Sequence, residues 1–309
     1  MATLPKVLLT RSLPAAAMAR LDGIAEPIVP DTPLTPEALV RAVRDADALV
    51  PTVTDRIDRA VIEAGASLRV IANVGVGYNN IDVAEARARG LVVTNTPDVL
   101  SPATADLTWA LILGITRRIG EGERLVRAGL WTGWALDQLL GMELGGRTLG
   151  IIGFGRIGRE VAARAGAFGM SVIHTGRTAD AMPLDRLLAL ADVVSIHVPL
   201  TDATRHLIDQ AALARMKRSA WLINTSRGPV VDEAALVWAL KNRIIAGAAL
   251  DVFEQEPVIH PELPSLENVM LTPHLGSATI DTRTAMADLA LRNVAAVLTG
   301  GAPLTPVPA

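Results

Sequence analysis

The chain has 309 residues and a net charge of −3; half of its residues are hydrophobic, one fifth are charged and none is cysteine. That length suits two domains of ordinary size, and so large an apolar fraction excludes wholesale disorder. The lack of cysteine removes disulfides, thiolate nucleophiles and cysteine-ligated metals, and the slight negative charge gives no pull toward nucleic acid or an anionic membrane.

The apolar run after Lys6 ends at Arg11, too short for a signal peptide, and Asp106 interrupts the best membrane-helix candidate around residues 109–115. A cytoplasmic protein with no membrane, nucleic-acid or metal partner is expected. In chain order, residues 7–10, 48–53, 69–73 and 91–94 have the β-branched and aliphatic character of strands, with helical patterns between them at 36–45 and 83–89. Asn95, Thr96, Pro97 and Asp98 form a turn signal. Ser101 followed by Pro102 predicts an N-cap and a first helical proline, opening an apolar helix through Leu107, Trp109, Leu111 and Leu113. A second series of strands follows at 148–152, 171–175, 192–198, 220–224, 248–252 and 268–272.

Strands alternating with helices mean βαβ units and parallel sheets, and two such series mean two α/β lobes. Met286, Leu289, Val294 and Val297 then recur at helical spacing. With no strand left in the second lobe for it to follow, this last helix is expected to return to the first. The fold class read from the sequence is α/β, two Rossmann-like or flavodoxin-like lobes with parallel sheets and a cleft between them. The first lobe is discontinuous, 1–97 with 277–309, and the second spans 98–276. The proline-rich tail 300–309 is expected to be irregular.

Strand, GxGxxG and helix follow one another at 148–163, with glycines at 153, 155 and 158. Gly153 permits the tight turn, Gly155 lets backbone approach a pyrophosphate, and Gly158 lets helix and strand pack closely, which makes 98–276 a dinucleotide-binding lobe. Phe154, Arg156 and Ile157 complete the turn. NAD binders usually carry a carboxylate at the end of the next strand, but here it reads His174, Thr175, Gly176, Arg177, Thr178. Arg177, with the hydroxyls of Thr175 and Thr178, can pair with a 2′-phosphate, so NADP (as NADPH) is expected, with NAD as the alternative.

Without cysteine, proton chemistry falls to other side chains. Of the five histidines, His274 lies just beyond a strand, as do Arg227 and Glu256 beyond two others. Ligands bind beyond the carboxyl ends of strands in open parallel sheets. A cation, an acid and an imidazole gathered there are what reduction of a keto acid requires.

At this point the chain resembles the D-isomer-specific 2-hydroxyacid dehydrogenases along nearly its whole length. The resemblance rests on NVGVGYNNID at 73–82, GIIGFGRIG at 150–158, NTSRG at 224–228, ALDVFEQEP at 249–257 and PHLGSA at 273–278. Within that family, LLTRSLP at 8–14, WTGW at 131–134 and TGR at 175–177 are most similar to glyoxylate/hydroxypyruvate reductases. The resemblance implies that Arg227 holds the substrate carboxylate and reacting carbonyl, that Glu256 rather than Glu254 partners the histidine, and that His274 is the acid–base residue. It further implies that the amides of Val76 and Gly77 cradle the carboxylate from the first, substrate-binding lobe. Asp251 would lie close to the nicotinamide, Thr104 would line the cofactor cleft, and Gly176 falls where NAD-using members carry aspartate. A homodimer is implied too, with Trp131 and Trp134 either core residues or part of an arm packed against the second copy.

The expected activity is NADPH-dependent reduction of small 2-keto acids, glyoxylate and hydroxypyruvate, to D-2-hydroxy acids. Two readings stay open beside it: a reductase of bulkier 2-keto acids such as hydroxyphenylpyruvate or branched-chain ones, and a nucleotide-sensing corepressor-like protein.

Overall fold

A computed structural model describes residues 3–308, in which the chain divides into two units, Met1–Leu100 with Ala278–Ala309 and Ser101–Ser277. The first begins with β1 (Lys6–Leu9), α1 (Ala15–Met18), β2 (Glu26–Ile28), α2 (Pro36–Ala42), β3 (Ala48–Val50), α3 (Arg59–Ala64), β4 (Val70–Ala72), α4 (Val83–Ala88) and β5 (Val92–Thr94). Its five strands are all parallel in the order β2-β1-β3-β4-β5. The central strands read as unbroken apolar runs because both faces are covered: every residue of β3 and β4 is buried. Thr35, Asp58 and Asp82 cap α2, α3 and α4 by accepting from amides of the first turn.

One sequence expectation changes here. The strand expected over 48–53 stops at Val50, since Pro51 has no amide with which to continue the ladder. No apolar run marks β2, whose Glu26 and Pro27 are exposed; proline is tolerated there because the strand lies at the sheet edge.

The second unit comprises α5 (Ser101–Thr116), α6 (Ile119–Arg127), β6 (Thr148–Ile152), α7 (Arg156–Ala165), β7 (Ser171–Thr175), α8 (Leu184–Leu190), β8 (Val193–Ile196), α9 (Gln210–Arg215), β9 (Trp221–Asn224), α10 (Glu233–Lys241), β10 (Gly247–Leu250) and β11 (Val269–Leu271). The strands are again parallel, in the order β11-β10-β9-β8-β6-β7. The chain runs outward from β6 to β7 and then returns to the other side of β6 as β8. A topological switch therefore falls at the carboxyl end of β6.

α5 buries Trp109, Leu111, Ile112 and Ile115 in one cluster with Leu149, Ile151 and Val161. Ser101 is not its cap: it is the first helical residue, and its buried hydroxyl has no partner among the described residues.

The last helix, α11 (Ile280–Leu298), belongs to the first unit. Thr279 caps it, and Ala287, Ala290, Leu291, Val294 and Val297 pack with Val7, Leu9, Val50, Val70 and Ala72. The tail does not stay wholly irregular. Pro306 forms an antiparallel bridge with Thr94, and the Val307 amide donates to the Val93 carbonyl at 3.0 Å. No helix among the described residues is long and apolar enough to cross a membrane.

Candidate active site

The glycine turn sits at the switch. Gly153 has φ 95°, and its amide donates to the Thr175 carbonyl at 3.0 Å. A Cβ on Gly153 would come within 2.7 Å of the His197 carbonyl oxygen, and one on Gly158 within 2.3 Å of the Gly153 carbonyl oxygen. Only glycine permits both the turn and the close approach of α7 to β6. Gly155 is the N-cap of α7 and offers its amides no side-chain acceptor, and a Cβ built there would meet open space. An uncapped helix terminus facing open space at the end of β6 fits a dinucleotide pyrophosphate. Arg156 is exposed beside it, and Ile157 is half-buried against the Leu149 and Val161 cluster.

Beyond β7, Thr175 and Thr178 are half-buried, while Gly176 and Arg177 are exposed. Arg177 makes no ion pair among the described residues, so its charge is open to an anion. The Phe154 ring stacks on His174 with centroids 3.9 Å apart. Residues 174–178 carry no carboxylate, and the nearest one follows two residues later. The chain folds back after Thr178 and sets an Asp180 carboxylate oxygen 3.4 Å from His174 Nε2.

Thr104, in the first turn of α5, is buried, and its carbonyl accepts the Thr108 hydroxyl at 2.8 Å. That hydroxyl lies 3.0 Å from the hydroxyl of Thr225, just past β9. Neither Thr108 nor Thr225 stood out in the sequence, because their relation exists only across 117 residues.

Three neighbouring strand ends supply the ionisable groups. After β9, the Asn224 side chain donates to the Arg227 carbonyl at 3.0 Å and accepts from the Ser226 amide and hydroxyl at 3.0 and 2.8 Å. This fastens the turn that carries Arg227. After β10, Glu256 accepts the Phe253 amide on Oε1 at 3.0 Å, and its Oε2 lies 2.8 Å from His274 Nδ1. With Nδ1 protonated and donating to Glu256, Nε2 is the ring nitrogen left for chemistry; that tautomer is inferred from the hydrogen bond.

Burial pushes the Glu256 carboxyl up. The hydrogen bond and charge of His274, the Phe253 amide and the Arg227 guanidinium together outweigh it and hold the group below the usual carboxylate range. Glu256 is therefore an anion at neutral pH. Burial pushes the Arg227 guanidinium down and Glu256 opposes the shift; an arginine so placed stays a cation.

Asp251, expected close to the nicotinamide, directly follows β10. It is fully buried, and its carboxylate accepts the Thr272 hydroxyl at 2.6 Å and the Leu275 and Gly276 amides at 2.7 and 2.8 Å. Its carbonyl accepts the His274 amide at 2.8 Å, and His274 itself has the left-handed φ of 54°. Asp251 thus builds the turn that presents the imidazole, and burial pushes its carboxyl up against the opposing pull of those donors.

The other histidines have structural partners. His197 lies 2.8 Å from the Ser195 hydroxyl and is pushed down to about 3 by burial, so it is neutral. His206 pairs with Glu254 at 2.6 Å, and Glu254 also accepts the first amide of α10. His260 accepts the Glu262 amide at 3.4 Å.

In the first unit, the loop after β4 is pinned by its carbonyls. Asn95 donates to Val76 at 2.7 Å and Asn73 to Gly77 at 2.9 Å. The Val76 and Gly77 amides meet no acceptor among the described residues, and both residues are half-buried. Two adjacent donors held in this way suit a carboxylate.

Known proteins resemble this chain over nearly its whole length. Residues 109–276 match the sequence model of the D-isomer specific 2-hydroxyacid dehydrogenase NAD binding domain. A glyoxylate reductase of Thermococcus onnurineus is 46% identical over 317 residues, covering 97% of this chain and 95% of its own. The crystal structure of the TT0316 protein from Thermus thermophilus superposes with a TM-score of 0.92 at 47% identity, covering 98% of this chain and all of that one. The structure of an NADPH-dependent glyoxylate/hydroxypyruvate reductase from Sinorhizobium meliloti, in complex with NADP and malonate, superposes with a TM-score of 0.89 at 36% identity, covering 99% and 97% of the two chains.

Proposed function

Because the chain belongs to the D-isomer-specific 2-hydroxyacid dehydrogenase family, we propose that it reduces glyoxylate, hydroxypyruvate and similar small 2-keto acids to D-2-hydroxy acids with NADPH. The observation that carries this reading is the 2.8 Å pairing of His274 Nδ1 with Glu256, on a strand end neighbouring that of Arg227.

The nicotinamide, when bound, supplies the hydride that the 2-carbonyl carbon accepts. His274, protonated on both ring nitrogens for this step, gives its Nε2 proton to the carbonyl oxygen as that oxygen gains charge, while Glu256 accepts the Nδ1–H hydrogen bond and fixes the ring. Arg227 stabilises the growing negative charge and orients the substrate carboxylate. The Val76 and Gly77 amides are assigned to substrate binding, as a pair of donors that suits a carboxylate. Gly153, Phe154, Gly155, Arg156 and Ile157 are assigned to the pyrophosphate, Thr104 to the cofactor cleft, and Thr175, Gly176, Arg177 and Thr178 to the adenosine end. In this reading 98–276 is the dinucleotide-binding domain, and 1–97 with 277–309 is the substrate-binding domain. Consumption of NADPH supports a cytoplasmic setting, where that cofactor is regenerated.

The test is a panel of 2-keto acids of increasing side-chain size with NADPH and NADH. Turnover is expected to be highest with glyoxylate and hydroxypyruvate and to fall as the side chain grows; a preference for branched or aromatic acids would overturn the substrate class. In the same assay, Arg177→Ala should raise KM for NADPH by about 10–100-fold, the worth of a charge-assisted hydrogen bond. KM for NADH should stay within about twofold, because NADH carries no 2′-phosphate. Equal changes for both cofactors would take Arg177 out of 2′-phosphate recognition.

A homodimer is part of the same proposal. Ile119, Val126, Leu130, Trp131, Trp134, Leu136 and Leu140 are all exposed within 22 residues of chain, Trp134 and Leu136 at 81% each. So dense an apolar run supports burial against a second copy. The double variant Trp134→Glu and Leu136→Glu should elute from a sizing column at half the wild-type mass; an unchanged elution would place the interface elsewhere.

A further inference from the structure

The segment assigned to the adenosine end contains an apparent contradiction. Arg177 is exposed and open to a 2′-phosphate, yet Asp180, three residues on, carries the charge that would repel one. Asp180 is fully ionised at neutral pH, held below its ordinary value first by the Thr178 hydroxyl, then by its own backbone amide and by His174. His174 stands where this conflict can be resolved. It is 9% exposed, and its ring is fixed by the stack on Phe154 at 3.9 Å and 17°. Its Nε2 lies 2.9 Å from the Thr178 hydroxyl and 3.4 Å from the Asp180 carboxylate. The Met182 amide donates to the His174 carbonyl at 2.9 Å, so the segment is anchored to this residue at both side chain and backbone.

We propose that His174 is a positioning residue for cofactor selection: it draws the Asp180 carboxylate and the Thr178 hydroxyl back onto itself, so that a 2′-phosphate meets Arg177 without an opposing charge. The inference rests on the NADPH reading above. A ring fixed by stacking loses little freedom in making the two contacts, which makes it a better anchor than a flexible surface side chain. Without the imidazole, neither Asp180 nor the Thr178 hydroxyl that holds it is tied to the end of β7, and the carboxylate is free to turn toward Arg177, where it competes for the guanidinium and repels phosphate. NADH, with hydroxyls at that position, feels neither effect.

The test measures dissociation constants of NADPH and NADH for the purified full chain by cofactor-fluorescence titration. His174→Phe keeps a ring against Phe154 but removes the polar contact. It should weaken NADPH by about tenfold and leave NADH within about twofold. Adding Asp180→Asn should return NADPH to within about threefold of wild type, since neutralising the released charge removes the need for its anchor. Loss of both cofactors together, an unchanged NADPH-to-NADH ratio, or failure of Asp180→Asn to restore NADPH would each overturn the inference, the first by showing a structural role alone. A wild-type chain that binds NADPH no better than NADH overturns the cofactor reading and this inference with it. A wild type that prefers NADPH, with that preference intact in His174→Phe, overturns this inference alone.

Discussion

Replacing His274 with alanine is expected to lower kcat for 2-keto acid reduction by about 10²–10⁴-fold, the range for loss of a positioned general acid. NADPH affinity should hardly change, because the glycine turn and the segment after β7 do not depend on the imidazole. The substitution also leaves Glu256 without the Nδ1 donor 2.8 Å away that helps hold it below the usual carboxylate range. An uncompensated carboxylate near the reacting oxygen opposes the charge developing there, so the deficit should fall toward the upper end of the range. Removing that carboxylate as well, by Glu256→Gln, should therefore cost less in the His274→Ala background than in wild type. Steady-state rates at saturating NADPH and glyoxylate give the answer; a variant that keeps more than about a tenth of wild-type kcat would remove His274 from the proton-transfer step.

Arg227→Ala should be at least as severe in kcat/KM, falling by about 10³-fold or more, since the guanidinium is assigned both to the substrate carboxylate and to the carbonyl oxygen. Arg227→Lys should recover only a small part of this, because an ammonium cannot make the planar two-point contact. The arginine variants also have a pH signature. Arg227 contributes to the lowered pKa of Glu256, so its loss moves that carboxyl upward. A depressed carboxyl is ionised, and stabilising, above its unfolded value and loses that contribution as pH falls through its folded value. In Arg227→Ala the acid-side loss of residual activity should therefore begin at higher pH than in wild type. A pH profile with an unshifted acid limb would separate Arg227 from Glu256.

The ionisable trio was open to a sequence reading because each member follows its own strand. Parallel topology brings the ends of successive strands to one edge, so Arg227, Glu256 and His274 can be placed together once β9, β10 and β11 are recognised. Choosing Glu256 over Glu254 needed more than a strand end. It came from the likeness of the whole ALDVFEQEP segment to the family, and in the structure Glu254 is occupied with His206 and the start of α10.

By itself the sequence determined what depends on near neighbours. Apolar periodicity marked the strands and helices, and the glycine spacing marked a turn whose strand, loop and helix are contiguous. It also set the charge types available beyond each strand. Tertiary structure alone decided the relations that span the chain. The Asp251 carboxylate takes up amides 24 and 25 residues away to shape the histidine turn. The Thr108 hydroxyl meets that of Thr225, and the C-terminal tail pairs with β5. None of these leaves a local trace, because a side chain's partner across a fold is set by which surfaces pack, and periodicity records only which face of an element is buried.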